Sequence, residues 1–308
     1  MRRKNVVVTG ASGLLGRAVA EHFMSKGDIV TRLALTRASV DPAYTKLDLM
    51  DREAVEGFFT TNKVDVVVHC AAERRPDVAE ADPEKAAKIN AAVPAHLAEL
   101  SRTRGFQLIY ISTDYVFNGR NPPYEVNDEP DPLQSYGRQK RDGEIAVLAE
   151  QEKGAKATVL RVPILYGRVE YNAESAVNLL QDVVEDQSGK EYKMDHYQIR
   201  FPTNVEDVAR VLYDLAHLHK PLPPIVHYAS PAPPMTKYDM TVIIAKHLGL
   251  PIDHIKSDAQ KPVIKPGQTE RPENTSLSTK SLKEIGVDTR EEMSFDQWWA
   301  MWIKETKK

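Results

Sequence analysis

The stretch that decides the fold is Asn5-Val-Val-Val-Thr-Gly-Ala-Ser-Gly-Leu-Leu-Gly16, close to the start of a 308-residue chain. Its valines form an unbroken β-branched run, which is typical of a strand buried on both faces of a parallel sheet. The glycines that follow mark a turn from this strand into a helix, whose first N–H groups and positive dipole end suit a phosphate group. The stretch therefore predicts a strand–turn–helix unit that holds the diphosphate of a dinucleotide.

Each glycine of this turn has its own steric reason. Gly10 permits the sharp turn, a side chain at Gly13 would block the pyrophosphate, and Gly16 lets the helix approach the sheet. The spacing differs by one residue from the GxGxxG pattern, and a glycine-rich turn without a ligand is the alternative interpretation. The position between a valine strand and a helix favours a cofactor. The predicted cofactor contacts here are Gly10, Ser12, Gly13, Leu14, Leu15 and Gly16.

Strands and helices alternate through the first 165 residues. This order predicts an α/β fold with a parallel sheet covered on both faces, a Rossmann-type doubly wound domain over residues 1–165. The predicted strands after the first are Ile29–Leu35, Val64–Cys70, Phe106–Ser112 and Lys156–Val162. The predicted helices are Leu14–Lys26, Asp51–Thr61, Pro83–Arg104 and Ser135–Glu152.

The pattern changes after residue 165. Prolines cluster between residues 221 and 234 around a short strand, Ile225–Ala229. We expect residues 166–308 to form a smaller substrate or partner lobe, interleaved with the first domain. The helices expected there are Glu174–Asp186, Val205–His217, Lys237–Leu248 and Ser278–Ile285. Further along, Trp298 and Trp302 share a helical face, for which core anchoring is the default role and an exposed docking surface the alternative.

The end of the second strand indicates which dinucleotide is bound. NAD-specific sites usually place an acidic residue there to hold the ribose hydroxyls, whereas this strand ends at Thr36 and Arg37. An arginine fork can pair with a 2′-phosphate, so the sequence favours NADP(H). Asp41 lies close enough to keep NAD open as an alternative. Asp48 and Leu49 are expected near the adenine, although Asp48 could be an ordinary turn residue.

A reactive constellation is predicted around Tyr136 and Lys140, which share one face of a helix at i, i+4 spacing. A free tyrosine has a pKa of about 10, and a neighbouring ammonium group is expected to lower that pKa. Tyr136 could then give a proton to a carbonyl oxygen, which a hydroxyl of Ser112 or Thr113 would orient. An exposed tyrosine and lysine would be the alternative for an isolated YxxxK pattern.

Four arginines are candidates for gripping an anion. Arg74 and Arg75 follow the fourth strand, at the sheet edge where ligands of such folds bind, and could hold a substrate phosphate or a partner's acidic residues. A solvated basic pair is the alternative. Arg200 and Arg271 could face a nucleotide-sugar diphosphate or bridge the two lobes through carboxylates. Two further predicted cofactor contacts, Ala71 and Ala72, lie between the fourth strand and Arg74.

Composition excludes several function classes. The formal net charge is −3, so nothing indicates a nucleic-acid or membrane partner. The single cysteine, Cys70, excludes a disulfide within the chain and suits a reducing compartment. The nine histidines show no metal-ligand spacing. The sequence start lacks the apolar stretch of a signal peptide, and we therefore expect a cytoplasmic protein without a metal.

These residues together resemble the extended short-chain dehydrogenase/reductase superfamily. Its cofactor loop and Ser/Thr-Tyr-Lys triad match Gly10, Gly13, Gly16, Thr113, Tyr136 and Lys140. Ile111–Gly119, Pro132-Leu133 and Arg271–Asn274 resemble the dTDP-4-dehydrorhamnose reductases within it. Longer stretches are more similar to one branch of that family, the regulatory β subunits of methionine adenosyltransferase. These stretches are His69–Val78, Pro163–Gly167, Met194–Thr203 and Met235–Tyr238.

The resemblance implies two functions of different classes. The first is an NADP(H)-binding regulatory subunit that associates with the methionine adenosyltransferase catalytic subunit and supports S-adenosylmethionine synthesis; the triad would then be idle or hold only the cofactor. The second is an NADPH-dependent reductase of a 4-keto-6-deoxy sugar nucleotide, with Thr113, Tyr136 and Lys140 as catalytic residues. The longer similar stretches favour the first function.

Overall fold

A computed structural model describes residues 2–265 and 268–307. Its strands are β1 (Asn5–Thr9), β2 (Ile29–Ala34), β3 (Thr45–Lys46), β4 (Val66–His69), β5 (Gln107–Thr113), β6 (Lys156–Val162), β7 (Leu165–Tyr166), β8 (Tyr192–Asp195), β9 (Thr203–Asn204), β10 (Ile225–His227) and β11 (Ile255–Asp258). Its α-helices are α1 (Leu14–Ser25), α2 (Arg52–Thr61), α3 (Pro76–Ala81), α4 (Pro83–Ala87), α5 (Val93–Arg104), α6 (Ser135–Glu152), α7 (Leu179–Glu185), α8 (Val205–His217), α9 (Lys237–Leu248), α10 (Lys280–Glu284) and α11 (Phe295–Thr306).

Seven parallel strands form the central sheet in the order β10-β6-β5-β4-β1-β2-β3. The chain builds outward from β1 in one direction and from β4 in the other, so the strand order reverses between β1 and β4. In open α/β sheets, ligands bind outside the carboxyl ends of the strands at such a reversal point. The predicted α/β fold with a doubly wound parallel sheet is confirmed, and the reversal point lies beside Gly10 and Ala71.

The valines of β1 show why both faces of the sheet are covered. Successive side chains of a strand point to opposite faces. Val6 and Val8 therefore enter the apolar cluster formed with α1 and α8, whereas Val7 enters the cluster formed with α2, α5 and α6. All three are buried. An unbroken valine run thus anchors the glycine turn between two cores.

The predicted helix Pro83–Arg104 is interrupted by a π-helical turn over Lys88–Ala92. Pro94 explains the interruption, because proline has no N–H to donate to the carbonyl of Asn90 four residues earlier. That carbonyl instead accepts a hydrogen bond of 3.1 Å from the buried Tyr110 hydroxyl. The sequence interpretation of one regular helix was wrong at this turn.

The C-terminal half contributes to the same sheet and adds an apolar cluster of its own. β10 pairs with β6, and α8 packs on α1. The added cluster is formed by α7, α9 and α11 around Trp298 and Trp299, which are almost completely buried. Trp302 is partly buried and stacks on Trp298 at 5.5 Å between ring centroids. The predicted core role is therefore confirmed for Trp298.

Two helix boundaries in this half differ from the sequence prediction. The helix expected over Glu174–Asp186 begins only at Leu179, since residues 172–174 form a separate 3₁₀ turn, from which Glu174 pairs with Arg17 of α1. The helix expected over Ser278–Ile285 is the shorter α10. Among the helices of residues 2–265 and 268–307, none has the length and apolar character needed to cross a membrane.

Candidate functional site

The glycine turn after β1 has the shape that the sequence predicts. Gly10 has a positive φ of 62°, and a Cβ there would lie 2.8 Å from the Ala71 Cα. A Cβ on Gly16 would overlap the carbonyl oxygen of Gly10, so this glycine lets α1 pack against its own preceding turn. Side chains at these two positions would therefore push the turn apart.

The start of α1 can receive an anion. Gly13 is the N-cap and, having no side chain, gives the first turn no side-chain hydrogen bond. A Cβ on Gly13 would have only the Gly10 carbonyl within 4 Å, at 3.4 Å, so the glycine leaves space in front of the helix. The first turn also carries no acidic residue. The residues present therefore fit a diphosphate at the positive end of α1.

An ion pair that the sequence analysis missed stands at this turn. The Arg17 guanidinium donates to both carboxylate oxygens of Glu174, at 2.8 and 2.5 Å, and to the Ser12 carbonyl at 2.6 Å. Both side chains are largely buried, with 14% and 7% of their surface exposed. The bidentate geometry ties residues 168–174, called the acidic loop below, to the glycine turn.

Arg37 lies in a short 3₁₀ turn after β2 and forms an ion pair with Glu170 of the acidic loop. Asp41, which kept NAD open as an alternative, accepts a hydrogen bond from the Ala43 N–H at 2.9 Å. Asp48 accepts one from the Met50 N–H at 2.9 Å, which is the turn role considered for it. Leu49 is buried beside β1, and Ala71 follows β4 at Gly10. Ala72 is the next residue along the chain and lies in the same segment after β4.

Thr113 lies at the carboxyl end of β5, and Tyr136 and Lys140 lie at the start of α6. Gly137 lets this end of α6 approach the segment after β5, because a Cβ there would overlap the Tyr115 carbonyl oxygen. The Thr113 hydroxyl accepts a hydrogen bond from the Tyr115 N–H and donates to Asp114, both at 3.1 Å. The hydroxyl is therefore held in place beside the phenol of Tyr136.

The pKa of the Tyr136 phenol is raised rather than lowered. Burial raises this pKa most, while the hydrogen bond with Thr113 and the charge of Arg74 lower it only in part. The sequence prediction of a lowered pKa is therefore wrong for the chain by itself. The physical reason is that desolvation disfavours the phenolate. Tyr136 holds its proton across the physiological pH range.

Lys140 lies against an aromatic ring. Its ammonium group is buried 4.1 Å from the ring centroid of Tyr110, and burial lowers the pKa of Lys140 to about 7, although Glu144 raises it in part. Tyr110 in turn stacks on His69 at 5.8 Å between centroids, and the Nδ1 of His69 is 2.7 Å from the Thr9 hydroxyl. A continuous row of side chains thus connects the end of β1 with the triad lysine.

A buried ionic cluster lies one helical turn beyond Lys140. The Arg161 guanidinium of β6 donates to both oxygens of Glu144, and the Ser112 hydroxyl donates to the same carboxylate at 2.6 Å. Glu144 and Arg161 are fully buried. Arg161 also lies 3.2 Å from the Nε2 of His227. The cluster fixes the end of β5 against α6, and thereby the positions of Thr113 and Lys140.

The four candidate arginines have different surroundings. Arg75 pairs with Glu73, at 2.8 Å, and Arg74 is close enough to Tyr136 to affect its pKa. The buried Arg200 guanidinium donates to the carbonyls of Ile199 and Pro272 and to Gln198. Arg271 pairs with Asp77 of α3 at 2.7 Å, so it bridges the two halves through a carboxylate, one of the roles considered for it. Of the four, Arg74 is the one whose charge acts on Tyr136, and Arg200 acts on the neighbouring Asp114.

Sequence signals existed for some of the missed residues. Arg161 is a charged residue within the buried part of β6, which by itself predicts a buried partner. Glu144 follows Lys140 at i, i+4 spacing on the same helix face. Arg17 follows the last glycine of the turn, but its partner Glu174 is 157 residues away, and no local pattern connects the two.

Several known proteins are similar to this chain in sequence. Residues 4–296 match the family described as the RmlD substrate binding domain. The chain is 43% identical to the methionine adenosyltransferase 2 subunit beta of Rattus norvegicus over 289 residues, 93% of this chain and 84% of that protein. It is also 43% identical to a dTDP-4-dehydrorhamnose reductase of Mycolicibacterium smegmatis, over 148 residues that cover 47% of this chain and 42% of that one.

Among solved structures, the dTDP-4-dehydrorhamnose reductase of Bacillus anthracis in complex with NADP superposes with a TM-score of 0.81. The sequence identity is 23%, and the match covers 99% of each chain. This likeness shows that the two proteins share a fold. Given the match over residues 4–296, the chain belongs to the RmlD substrate binding domain family, and over 93% of its length it is similar to methionine adenosyltransferase 2 β subunits.

Proposed function

We propose that this protein is an NADP(H)-binding regulatory β subunit of a methionine adenosyltransferase and supports S-adenosylmethionine synthesis by associating with the catalytic subunit. The observation that carries the proposal is the 43% identity to proteins of that name over 93% of the chain. The likeness to the reductase from Mycolicibacterium smegmatis spans only about half of either protein. We also propose a cytoplasmic location, since the lone Cys70 suits a reducing compartment.

The proposed cofactor site runs along the reversal point of the sheet. The N–H groups at the start of α1 would hold the diphosphate, with Gly10, Ser12, Gly13, Leu14, Leu15 and Gly16 around it. Arg37 would receive the 2′-phosphate, and Leu49 would contact the adenine, with Asp48 beside it. Ala71 and Ala72 would line the middle of the site, and Tyr136 and Lys140 would hold the nicotinamide ribose. NADP-bound Bacillus anthracis reductase has the same fold.

The partner is tested by affinity purification of the tagged full-length chain from its native cell extract, followed by mass spectrometry. We expect a methionine adenosyltransferase catalytic subunit among the recovered proteins, and we expect the complex to re-form from separately purified components. An Arg37→Ala variant, whose change lies in the proposed cofactor site, is purified in parallel and shows whether the association depends on that site. Recovery without any methionine adenosyltransferase, by wild type and variant alike, would contradict the regulatory assignment.

A second function is supported by one observation, the presence of Thr113 at the end of β5 and of Tyr136 and Lys140 at the start of α6. In a reductase of 4-keto-6-deoxy sugar nucleotides, NADPH would supply a hydride to the carbonyl carbon. Tyr136, which holds its proton, would protonate the carbonyl oxygen, and Thr113 would orient that oxygen by a hydrogen bond. Arg74, Arg75, Arg200 and Arg271 are the arginines available for substrate or partner contacts in this proposal.

The second function is tested by following NADPH absorbance with a dTDP-4-keto-6-deoxy sugar. Consumption that is abolished in Tyr136→Phe, with NADPH affinity retained, would establish the reductase. Tyr115→Phe is the matched control, since Tyr115 lies at the same end of α6 and its ring is 6.5 Å from that of Tyr136. Absence of consumption by the wild-type protein would leave the regulatory function alone.

A further inference from the structure

The acidic loop contacts the Rossmann half of the chain at three arginines. Glu174 pairs with Arg17, Glu170 pairs with Arg37, and the carbonyl of Ala173 lies 3.4 Å from the Arg74 guanidinium. One loop from beyond β7 therefore reaches the diphosphate end, the 2′-phosphate end and the triad end of the proposed cofactor site. Its two carboxylates have the same charge as the phosphate groups that the site would receive.

The two carboxylates are held very differently. Glu174 has 7% of its side-chain surface exposed, receives both arms of Arg17, and also accepts the Glu170 N–H at 2.8 Å. Glu170 has 40% of its side-chain surface exposed, and its partner Arg37 has 36% exposed. Exposed ion pairs are worth at most about 1 kcal/mol, whereas a buried bidentate pair is costly to break. Glu174 is thus the fixed end of the loop, and Glu170 is the end that can be displaced.

We propose that Glu170 is a specificity-determining residue of the cofactor site, in which its carboxylate competes with the 2′-phosphate of NADP(H) for Arg37. This inference rests on the proposed NADP(H)-binding function and identifies a residue that weakens NADP(H) binding. The Glu170 carboxylate occupies the Nη2 of Arg37, a donor that a bidentate phosphate contact also uses, so the phosphate pairs fully with Arg37 only when Glu170 leaves. NAD(H) carries a hydroxyl at that position and has no such competitor.

The direction of the effect follows from the charges. A 2′-phosphate carries a charge near −2 at neutral pH and is repelled by a carboxylate beside it, while a ribose hydroxyl is uncharged. Removing the Glu170 charge therefore strengthens NADPH binding and leaves NADH binding nearly unchanged. Because both partners are exposed, the gain is modest, about two- to fivefold, and it shrinks as salt screens the charges.

The test measures dissociation constants for NADPH and NADH by fluorescence titration of the full chain at low and high salt. Glu170→Gln is compared with Glu191→Gln, which removes the same charge from an exposed residue that pairs with Lys256 beside β8. We expect Glu170→Gln to bind NADPH about two- to fivefold more tightly at low salt, with NADH affinity within about twofold of wild type. In the Arg37→Ala background the same substitution is expected to give a smaller gain, because the competition for the guanidinium is gone and only the repulsion between the carboxylate and the phosphate is relieved.

Other outcomes overturn the inference in distinguishable ways. Equal weakening of both dinucleotides in Glu170→Gln would show that Glu170 only holds the loop in place. An unchanged NADPH-to-NADH ratio, with NADPH still bound by the wild type, would remove the competition and leave the proposed function intact. A wild-type chain that binds no NADPH would overturn both proposals together.

Discussion

The Arg161 guanidinium meets the Glu144 carboxylate side by side, with Nε 2.8 Å from Oε1 and Nη2 2.7 Å from Oε2. Both side chains are inaccessible to solvent, so water cannot replace either partner. Breaking a buried pair by removing one charge typically costs about 3–5 kcal/mol, because the remaining ion stays buried.

The first prediction concerns this pair. We expect Glu144→Gln to lower the free energy of unfolding by about 3–5 kcal/mol, measured by urea denaturation. Glu150→Gln is the matched control on the same helix; its partners Arg102 and Lys153 are partly exposed, and we expect a loss below about 1 kcal/mol. Similar losses in the two variants would show that the buried pair contributes no more to the free energy of unfolding than the exposed one.

The second prediction concerns the pH dependence of stability. Burial lowers the pKa of Lys140 from its ordinary value of 10.5 to about 7. Between pH 7 and 10.5 the unfolded chain holds this proton and the folded chain does not, so the Lys140 contribution to stability rises with pH. Below pH 7 both states are protonated, and the folded chain carries the whole cost of the buried charge, on the order of 5 kcal/mol.

Lys140→Met is therefore expected to be more stable than wild type at pH 6, by a few kcal/mol, and to lose that advantage as the pH rises towards 10. Thermal unfolding of both proteins across this range measures the difference. Lys153→Met, which removes an exposed lysine at the end of the same helix, is the control. An advantage of Lys140→Met that stays constant from pH 6 to pH 10 would contradict the expected titration.

The third prediction tests the glycine turn. Gly16→Ala places a methyl group against the Gly10 carbonyl oxygen, and overpacking of this kind costs about 1–3 kcal/mol. We expect the variant to be destabilised and to bind neither NADPH nor NADH. Gly57→Ala is the control, since a Cβ in the middle of α2 meets no atom within 4 Å and alanine is the better helix former by about 0.5–1 kcal/mol. Retained dinucleotide binding in Gly16→Ala would refute the assignment of this turn.

The fourth prediction concerns the choice of dinucleotide. Arg37→Ala removes a charge-assisted contact to the 2′-phosphate, and such hydrogen bonds are worth about 1.5–3 kcal/mol, or roughly 10- to 100-fold in affinity. We expect NADPH binding to weaken by that factor while NADH binding changes little, as measured by fluorescence titration. Equal weakening of both dinucleotides would remove the 2′-phosphate from this position.

The parts of this molecule that sequence reasoning could predict are those set by local periodicity. A valine run followed by glycines specifies a buried strand and a phosphate turn because each residue acts on its neighbours. The spacing of Tyr136 and Lys140 likewise places both residues on one helical face. These features can be predicted without knowing which distant residues pack against them.

The remaining features depend on contacts between distant residues. The reach of Glu174 back to Arg17, and of Glu170 to Arg37, follows from the path of a loop that joins two halves of the fold. The raised pKa of Tyr136 depends on burial, which the i, i+4 spacing does not reveal. The π-turn before Pro94 was foreseeable in part, because a proline inside a helical pattern has no N–H to donate.

The missing N–H of Pro94 has an evolutionary consequence. It releases the Asn90 carbonyl to the Tyr110 hydroxyl, and a methyl group on Gly143 would overlap both partners. The residues at positions 90, 94, 110 and 143 thus depend on one another sterically, and they lie beneath the ammonium group of Lys140. Homologues that exchange the proline should therefore also change the tyrosine or the glycine, and these substitutions should appear together across the family tree.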